Sequence, residues 1–207
     1  MSYSSASGAY LKRMESRLRE GTEEALIYAA LELRCGVEAR LKEYIETIEH
    51  VPKSQKREWA VAKLGRSLES AYRTGDKIMI FTIRLAEDAG DIQLLYTPVT
   101  KRLQDISNRV GDFLHAVRHE FVSNPDWWKE LRDLLNEAYP LLKLANSGQL
   151  IGLPLLHRPT KTTTMRVVLE GEEDRSALVA KLVQGETHVV SVQYIDPIPG
   201  TFTFYES

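Results

Sequence analysis

The amino-acid sequence predicts a mainly α-helical protein of the α+β class, in which a helical bundle carries an inserted β-hairpin and is followed by a small C-terminal antiparallel β module. Two observations predict this fold. Apolar residues recur at helical spacing over most of residues 22–145, whereas short runs rich in β-branched and aromatic residues follow from residue 160. The length of 207 residues is enough for one hydrophobic core and a small attachment.

The first long helix has a clear start in the sequence. Thr22 is a good N-cap residue, and Glu23 and Glu24 place negative charge in the first helical turn. Apolar residues then repeat at helical spacing, so the pattern predicts a helix from Glu23 to about Glu49. Residues 1–21 are interpreted as an N-terminal tail or a short helix.

A second helix and a hairpin follow. Ser54 can cap a helix that extends to about Tyr72. The next run, KIMIFTIRL, is rich in β-branched and aromatic residues, and IQLLYTPV has strand character after the turn-like AEDAGD. We therefore expect a β-hairpin from about Lys77 to Thr97.

Two more helices complete the predicted bundle. One begins near Pro98, because proline is tolerated in a first helical turn. Its apolar residues share one face, namely Leu103, Ile106, Val110, Phe113, Val117 and Phe121. The other begins at Asn124-Pro125 and extends through Leu142.

The C-terminal part of the chain changes character. Residues 146–159 include two glycines and two prolines, which predicts a linker. Residues 160–207 contain four short strand-like runs separated by turn residues. About 48 residues are marginal for an independent core, so we expect this β module to pack on the helical part or to bind a protein partner.

Composition and charge exclude several classes of protein. With 27 Lys and Arg against 29 Asp and Glu, the net charge is -2, so any nucleic-acid contact must be local rather than driven by an overall field. The single cysteine, Cys35, excludes an intrachain disulfide. The sequence has no signal-peptide core and no apolar run of the roughly 18 residues that a membrane span needs. We expect a cytoplasmic protein without membrane contact.

The helix that begins near Pro98 also carries a polar face opposite its apolar one. This polar face comprises Asp105, Asn108, Arg109, Asp112, His115 and His119. One interpretation is an ordinary solvated surface. However, an outer face without function tends to consist of Lys and Glu. The His, Asp, Asn and Arg residues found here indicate a functional site instead.

A metal site on this face is one alternative. Asp112, His115 and His119 are spaced at i, i+3 and i+7 and could point three ligands the same way, which would suit zinc or iron. The metal sites of helical bundles generally draw a matching Glu-x-x-His repeat from another helix, and none is present in this sequence. We therefore expect neither a metal nor a cofactor.

The polar face also carries a family resemblance. Arg109, five intervening residues and His115 resemble the Arg-x(4 to 6)-His motif of the HEPN superfamily. The segments AALELRCGVEARLKEYIE and YTPVTKRLQDISNRVGDFLHA resemble the first long helix of HEPN-like defence-associated proteins and the approach to their motif helix. The resemblance covers about Thr22 to Leu144. It implies an HEPN-like helical domain over residues 22–145 and a homodimeric, metal-independent endoribonuclease of a bacterial stress or phage-defence system.

The residue types suit that chemistry. His115 can accept the 2′-hydroxyl proton of RNA because imidazole titrates near neutral pH, and Arg109 can stabilise the phosphorane because its planar fork matches phosphate oxygens. The products would carry 2′,3′-cyclic phosphate. Asn108, Asp112 and His119 are assigned to orientation and local field. Arg109 and His115 are separated by about 120° around the helix, so the pair of one chain is spread apart. In a two-fold dimer, two facing helices would bring both arginines and both histidines into one site.

Arg34 and Glu38 fall inside the apolar arc of the first long helix, four residues apart. Because burying a lone charge is costly, we expect a paired and largely buried ion pair. The family resemblance gives this pair a second role, in orienting the motif helix.

A different function class stays open. A non-catalytic helical dimer could use the same polar face as a binding groove for a protein or a nucleotide.

Overall fold

The computed structural model describes residues 4–48, 54, 60–72, 74–84, 91–115, 123–157, 162–168 and 189–196. Over these residues the chain is mainly helical and adds two small antiparallel sheets. In chain order the elements are α1 (Ser7–Glu20), α2 (Glu23–Thr47), α3 (Val61–Tyr72), β1 (Ile78–Arg84), β2 (Asp91–Tyr96), α4 (Lys101–His115), α5 (Pro125–Ala145), β3 (Leu150–His157), β4 (Thr162–Val168) and β5 (Val189–Ile195).

The helix starts follow from capping groups. The hydroxyl of Thr22 accepts a hydrogen bond from the backbone N–H of Ala25 at 3.1 Å, which confirms the predicted start of α2. Asn124 caps α5 through the backbone N–H of Asp126 at 2.9 Å, and Pro125 occupies the first turn, as predicted.

The start of α4 differs from the prediction. The helix begins at Lys101 rather than near Pro98, because two oxygens cap it there. The hydroxyl of Thr100 accepts from the N–H of Leu103 at 3.2 Å, and the carboxylate of Asp76 accepts from the N–H of Lys101 at 2.8 Å. Pro98 and Val99 are buried in the non-helical segment before it.

Helix α2 is the centre of the helical layer and packs against each of the other four described helices. Its core residues include Leu26, Leu33, Val37, Leu41, Tyr44 and Ile45, all at most 1% exposed. The core continues onto one face of β1 and β2, where Met79, Phe81 and Leu94 are buried. The apolar face predicted for α4 is also buried at Leu103, Ile106, Val110 and Phe113, whereas Val117 and Phe121 lie outside the described residues.

The three-stranded sheet joins distant parts of the chain. Its order is β2-β1-β5, and both pairings are antiparallel. Phe81 at the centre of β1 is opposite Leu94 of β2 and Val192 of β5. The predicted hairpin and a strand from residues 160–207 therefore share one sheet, because β1 has two edges and a two-stranded hairpin alone is marginally stable.

The stretch predicted as a linker contains a strand. β3 pairs with β4 in an antiparallel ladder that is irregular between Gly152 and Leu155. A Cβ atom at residue 152 would lie 2.6 Å from the carbonyl oxygen of Thr47, so a glycine lets β3 approach the end of α2. The glycine that suggested a linker serves close packing instead.

Some of the predicted helix and strand boundaries fall outside the residues that the structure describes. α2 ends at Thr47, close to the predicted end, and α3 is described from Val61 although the predicted helix begins at Ser54. Two of the four strand-like runs predicted within residues 160–207, SALVAKLVQ and TFTFYE, fall outside the described residues.

A buried arginine ties α2 to the end of α5. Arg40, 5% exposed, donates through Nε to the carbonyl oxygen of Ala145 at 2.7 Å and through Nη2 to that of Gly148 at 2.7 Å. Nη2 also donates to the hydroxyl of Tyr44 at 3.0 Å, which itself donates to the carbonyl oxygen of Thr97 at 2.7 Å. Among the charged residues that the structure describes, Arg40 is the buried one.

The predicted ion pair between Arg34 and Glu38 lies at the edge of the core of α2. Arg34 Nε lies 3.4 Å from Glu38 Oε1, and the two side chains are 31% and 21% exposed. The predicted pairing is present, but neither side chain reaches the burial of the core residues of α2 around it. The apolar arc of α2 is wide enough that its margin, where Arg34 and Glu38 lie, reaches the surface.

Candidate functional site

Helix α4 presents the predicted polar face to solvent. Asp105, Asn108, Arg109 and Asp112 are all exposed, on the side opposite the buried apolar residues. His115 is the last residue of α4, and its side chain, like the whole of His119, lies outside what the structure describes. Arg109 and His115 are thus fixed on one helix, about 9 Å apart along its axis at 1.5 Å per residue.

Arg109 is held by acidic side chains. Its Nη2 and Nε donate to Glu130 Oε1 of α5 at 2.8 and 3.2 Å, and its Nη1 lies 3.5 Å from Asp112 Oδ2. The guanidinium carbon lies 5.5 Å from the centre of the Phe113 ring. The hydrogen bonds and negative charge of Glu130 raise the pKa of Arg109 above its ordinary value, so the side chain stays fully charged.

A second arginine repeats this arrangement one heptad earlier. Arg102 donates through Nε and Nη2 to the two carboxylate oxygens of Glu137 at 2.5 and 2.6 Å. The two pairs, Arg102 with Glu137 and Arg109 with Glu130, tie α4 to α5 in antiparallel orientation. All four side chains are 44% to 59% exposed, so water screens both pairs.

The structure brings Arg34 to the motif helix. A Cβ atom at residue 111 would collide with Nη1 of Arg34, so the guanidinium lies directly against the backbone of α4 at Gly111. Gly111 is buried and stands two residues after Arg109. Burial raises the pKa of the Glu38 carboxyl, while the charge and hydrogen bond of Arg34 oppose the shift.

Two residues of this region were missed in the sequence. Glu130 is the direct partner of Arg109, and Gly111 is the contact point for Arg34. Glu130 had a signal, because Arg102 and Arg109 are seven residues apart and Glu130 and Glu137 match that spacing on the next helix. Gly111 had none, since only packing between α2 and α4 shows why a side chain is excluded there.

Metal-ligating residues do not converge in the described part of the chain, where no group of three His, Cys, Asp or Glu side chains is placed to hold an ion. The alternative ligand set of Asp112, His115 and His119 extends beyond the described residues. None of the described helices combines the length and apolar character needed to cross a membrane.

Comparison of the chain with family models, with curated proteins and with solved structures finds no match. The function of the protein is therefore inferred from its fold and from the residues of α4.

Proposed function

We propose that the protein is a metal-independent endoribonuclease of a bacterial stress or phage-defence system, with an HEPN-like helical bundle over residues 22–145. Two copies of α4 face each other in a homodimer and share one active site. The observation that carries the proposal is the exposed, fully charged Arg109 six residues before His115 on a helix whose other face is buried in the core.

The surroundings of Arg109 support a role at a phosphate. A planar guanidinium can bind phosphate oxygens in a bidentate manner. In this structure Nε and Nη2 of Arg109 both donate to one carboxylate oxygen, Oε1 of Glu130. Glu130 therefore marks a position where an anion is recognised. Because exposed pairs of this kind are worth only about 0 to 1 kcal/mol, an RNA phosphate can replace the carboxylate at small cost.

The reaction needs one base and one acid. His115 accepts the proton of the 2′-hydroxyl, the 2′-oxygen attacks the adjacent phosphorus, and the bond from phosphorus to the 5′-oxygen breaks. A protonated imidazole of the second copy donates a proton to that leaving oxygen. Arg109 stabilises the negative charge of the phosphorane, and the products are a 2′,3′-cyclic phosphate and a 5′-hydroxyl.

The other polar residues support this pair. Asn108, Asp112 and His119 orient the substrate and set the local field. Arg34, which pairs with Glu38 and lies against Gly111, fixes the position of the motif helix relative to α2.

The test is RNA cleavage in EDTA by the full chain, with wild type compared with His115→Ala and Arg109→Ala. Loss of the base should lower the rate by about 100-fold to 10,000-fold, and loss of the cation at least as much. Arg102→Ala is the matched control, because Arg102 is also an exposed arginine of α4 paired with a glutamate of α5. It should keep near wild-type activity.

Two results would overturn this function. Cleavage that requires a divalent metal and fails equally in variants of Asp112, His115 and His119 would instead indicate a metal site. A monomer in light scattering at micromolar concentration would remove the shared site, because one chain holds a single arginine and histidine pair.

One observation favours a non-catalytic function as the second candidate. The negative charges of Glu130 and Asp112 balance the positive charge of Arg109. Such an arrangement is typical of a stable ion-pair network on a protein surface. A dimeric module that binds a protein or a nucleotide would use the same face. It would bind without cleaving any RNA, and Arg109→Ala would change affinity only.

A further inference from the structure

Three aromatic rings lie in a row where the end of α4 meets the start of α5. The ring centres of Phe113 on α4 and Trp127 on α5 are 5.0 Å apart, and those of Trp127 and Trp128 are 4.6 Å apart. Phe113 is 4% exposed, whereas both tryptophans are only partly buried. The row therefore leads from the core to the surface.

The row begins beside the arginine that the proposed function places at the scissile phosphate. The guanidinium carbon of Arg109 lies 5.5 Å from the centre of the Phe113 ring. On α5, Trp127 precedes Glu130, the partner of Arg109, by three residues, so the two share one side of the helix. Because α4 and α5 are antiparallel, Trp127 lies level with Phe113, about 6 Å along α4 from Arg109.

This separation corresponds to the reach of one nucleotide, in which a single ribose joins the base to its phosphates. A strand with one phosphate at Arg109 therefore brings a neighbouring base to Trp127. Aromatic side chains bind such bases by stacking. The rings that contact Trp127 are tilted from it by 49° and 89°, so neither lies parallel to its indole as a stacked base would.

The polar face of α4 leaves the choice of base undetermined. Contacts of arginine with phosphate fix position and register but carry no sequence information. A stacking contact does carry some, because the larger ring system of a purine covers more of an indole than a pyrimidine does. A partly exposed tryptophan one helical turn from Arg109 thus supplies what the polar face lacks.

We propose that Trp127 is an RNA-binding residue of the active site. Its indole stacks on the base of a nucleotide that adjoins the phosphate at Arg109, and cleavage therefore favours a purine at that position. The proposal rests on the proposed function and adds to it a determinant of substrate preference.

Trp128 provides the matched control. It has the same side chain, neighbours Trp127 on the same helix and is also partly buried, but it lies about 100° further round α5, on the side away from Arg109. If Trp127 only completed the core, its replacement would affect all substrates alike, as we expect for the replacement of Trp128.

The experiment uses the full chain and an RNA oligonucleotide in which every ribose but one is 2′-O-methylated, so that cleavage can occur at one phosphate only. The base on the 5′ side or on the 3′ side of this phosphate is in turn adenine, uracil or absent. On one of the two sides, wild type should cleave the adenine substrate faster than the uracil substrate. Removal of the base there should lower kcat/KM by about fivefold to a hundredfold, mainly through KM.

Trp127→Leu should lower kcat/KM on the adenine substrate by a similar factor. It should lose nothing further when the base is removed, because the stacking contact is already gone. Trp127→Phe keeps an aromatic ring against Phe113 and should show an intermediate penalty, which tests the proposal even if the leucine variant does not fold. Trp128→Leu should keep the full penalty for the missing base. Circular dichroism checks the folding of each variant.

The stacking site and the proposed function fail in different ways. Quenching of indole fluorescence by the fully 2′-O-methylated oligonucleotide reports binding without cleavage, and it should be much smaller in Trp127→Leu than in Trp128→Leu. Cleavage with the same penalty for the missing base in wild type and in Trp127→Leu would overturn the stacking site and leave the function intact. Quenching that depends on Trp127, without cleavage of any RNA, would overturn the function and leave the site intact. Absence of both quenching and cleavage would overturn both.

Discussion

At the scale of single residues, Arg40 makes the clearest prediction about stability. Its guanidinium holds two carbonyl oxygens and the Tyr44 hydroxyl in a buried site, and Glu43 lies 3.3 Å from Nη1. Arg40→Met removes these donors, so the carbonyl oxygen of Ala145 keeps the Thr97 hydroxyl alone, and the change should lower the free energy of unfolding by roughly 3 to 5 kcal/mol. Urea unfolding followed by circular dichroism measures it.

Arg34→Met is the matched comparison on the same helix. Its pair with Glu38 is half-buried and 3.4 Å long, so the expected cost is about 1 kcal/mol or less. Equal costs for the two variants would contradict the assignment of Arg40 as the buried anchor.

Gly111 makes a prediction that separates folding from function. Gly111→Ala should leave stability unchanged or raise it by up to about 1 kcal/mol, because alanine favours the helix. The new methyl group collides with the flexible end of Arg34, which must move. If Arg34 positions the motif helix for cleavage, Gly111→Ala and Arg34→Ala should lower activity by a similar factor.

The double variant completes that test. Because both changes remove one contact, Gly111→Ala with Arg34→Ala should be no worse than either alone. Losses that simply multiply would show that Arg34 does not act through Gly111.

Glu130 makes a third prediction at this scale. Glu130→Gln removes the negative charge that competes with phosphate for Arg109, so RNA affinity should rise about twofold to fivefold at low salt. Glu137→Gln is the control, because it releases Arg102 in the same way at a position outside the motif. Filter binding at several salt concentrations would measure both, and an equal gain for the two would mean that charge alone is responsible.

At the scale of elements, the start of α4 depends on a residue distant in sequence. The carboxylate of Asp76 binds the first N–H of the helix, where the helix dipole also favours negative charge. Asp76→Ala should therefore cost about 0.5 to 2 kcal/mol in the free energy of unfolding. Asp133→Ala, on the exposed side of α5, should change stability by no more than about 0.5 kcal/mol. A loss below 0.3 kcal/mol at Asp76 would mean that Thr100 caps the helix alone.

At the scale of the whole molecule, the three-stranded sheet links the hairpin of residues 78–96 to a strand from the C-terminal part of the chain. Removal of residues 160–207 deletes β4 and β5, which leaves β3 without its partner and one edge of β1 unpaired, from Ile78 to Arg84. The truncated chain should keep its helical circular dichroism but unfold at lower urea and aggregate more readily, because an open edge strand is a template for pairing. An unchanged urea midpoint would show that neither β4 nor β5 contributes to the stability of the helical part.

Much of the helical layer could be predicted from sequence. The caps at Thr22 and Asn124 and the buried face of α4 act between residues near each other in the chain, so composition and spacing reveal them. The exposure of Asn108, Arg109 and Asp112 follows from the same spacing.

The sequence by itself determined where most helices lie and which face of each is apolar, because capping and helical periodicity are local properties. Tertiary structure alone decided that β5 pairs with β1, that Arg40 rather than Arg34 is buried, and that Arg34 lies against Gly111. The partners in each case are at least 20 residues apart or depend on how helices pack. Which of these residues become partners depends on the surfaces that meet once the core has formed, so no local sequence pattern reveals the pairing.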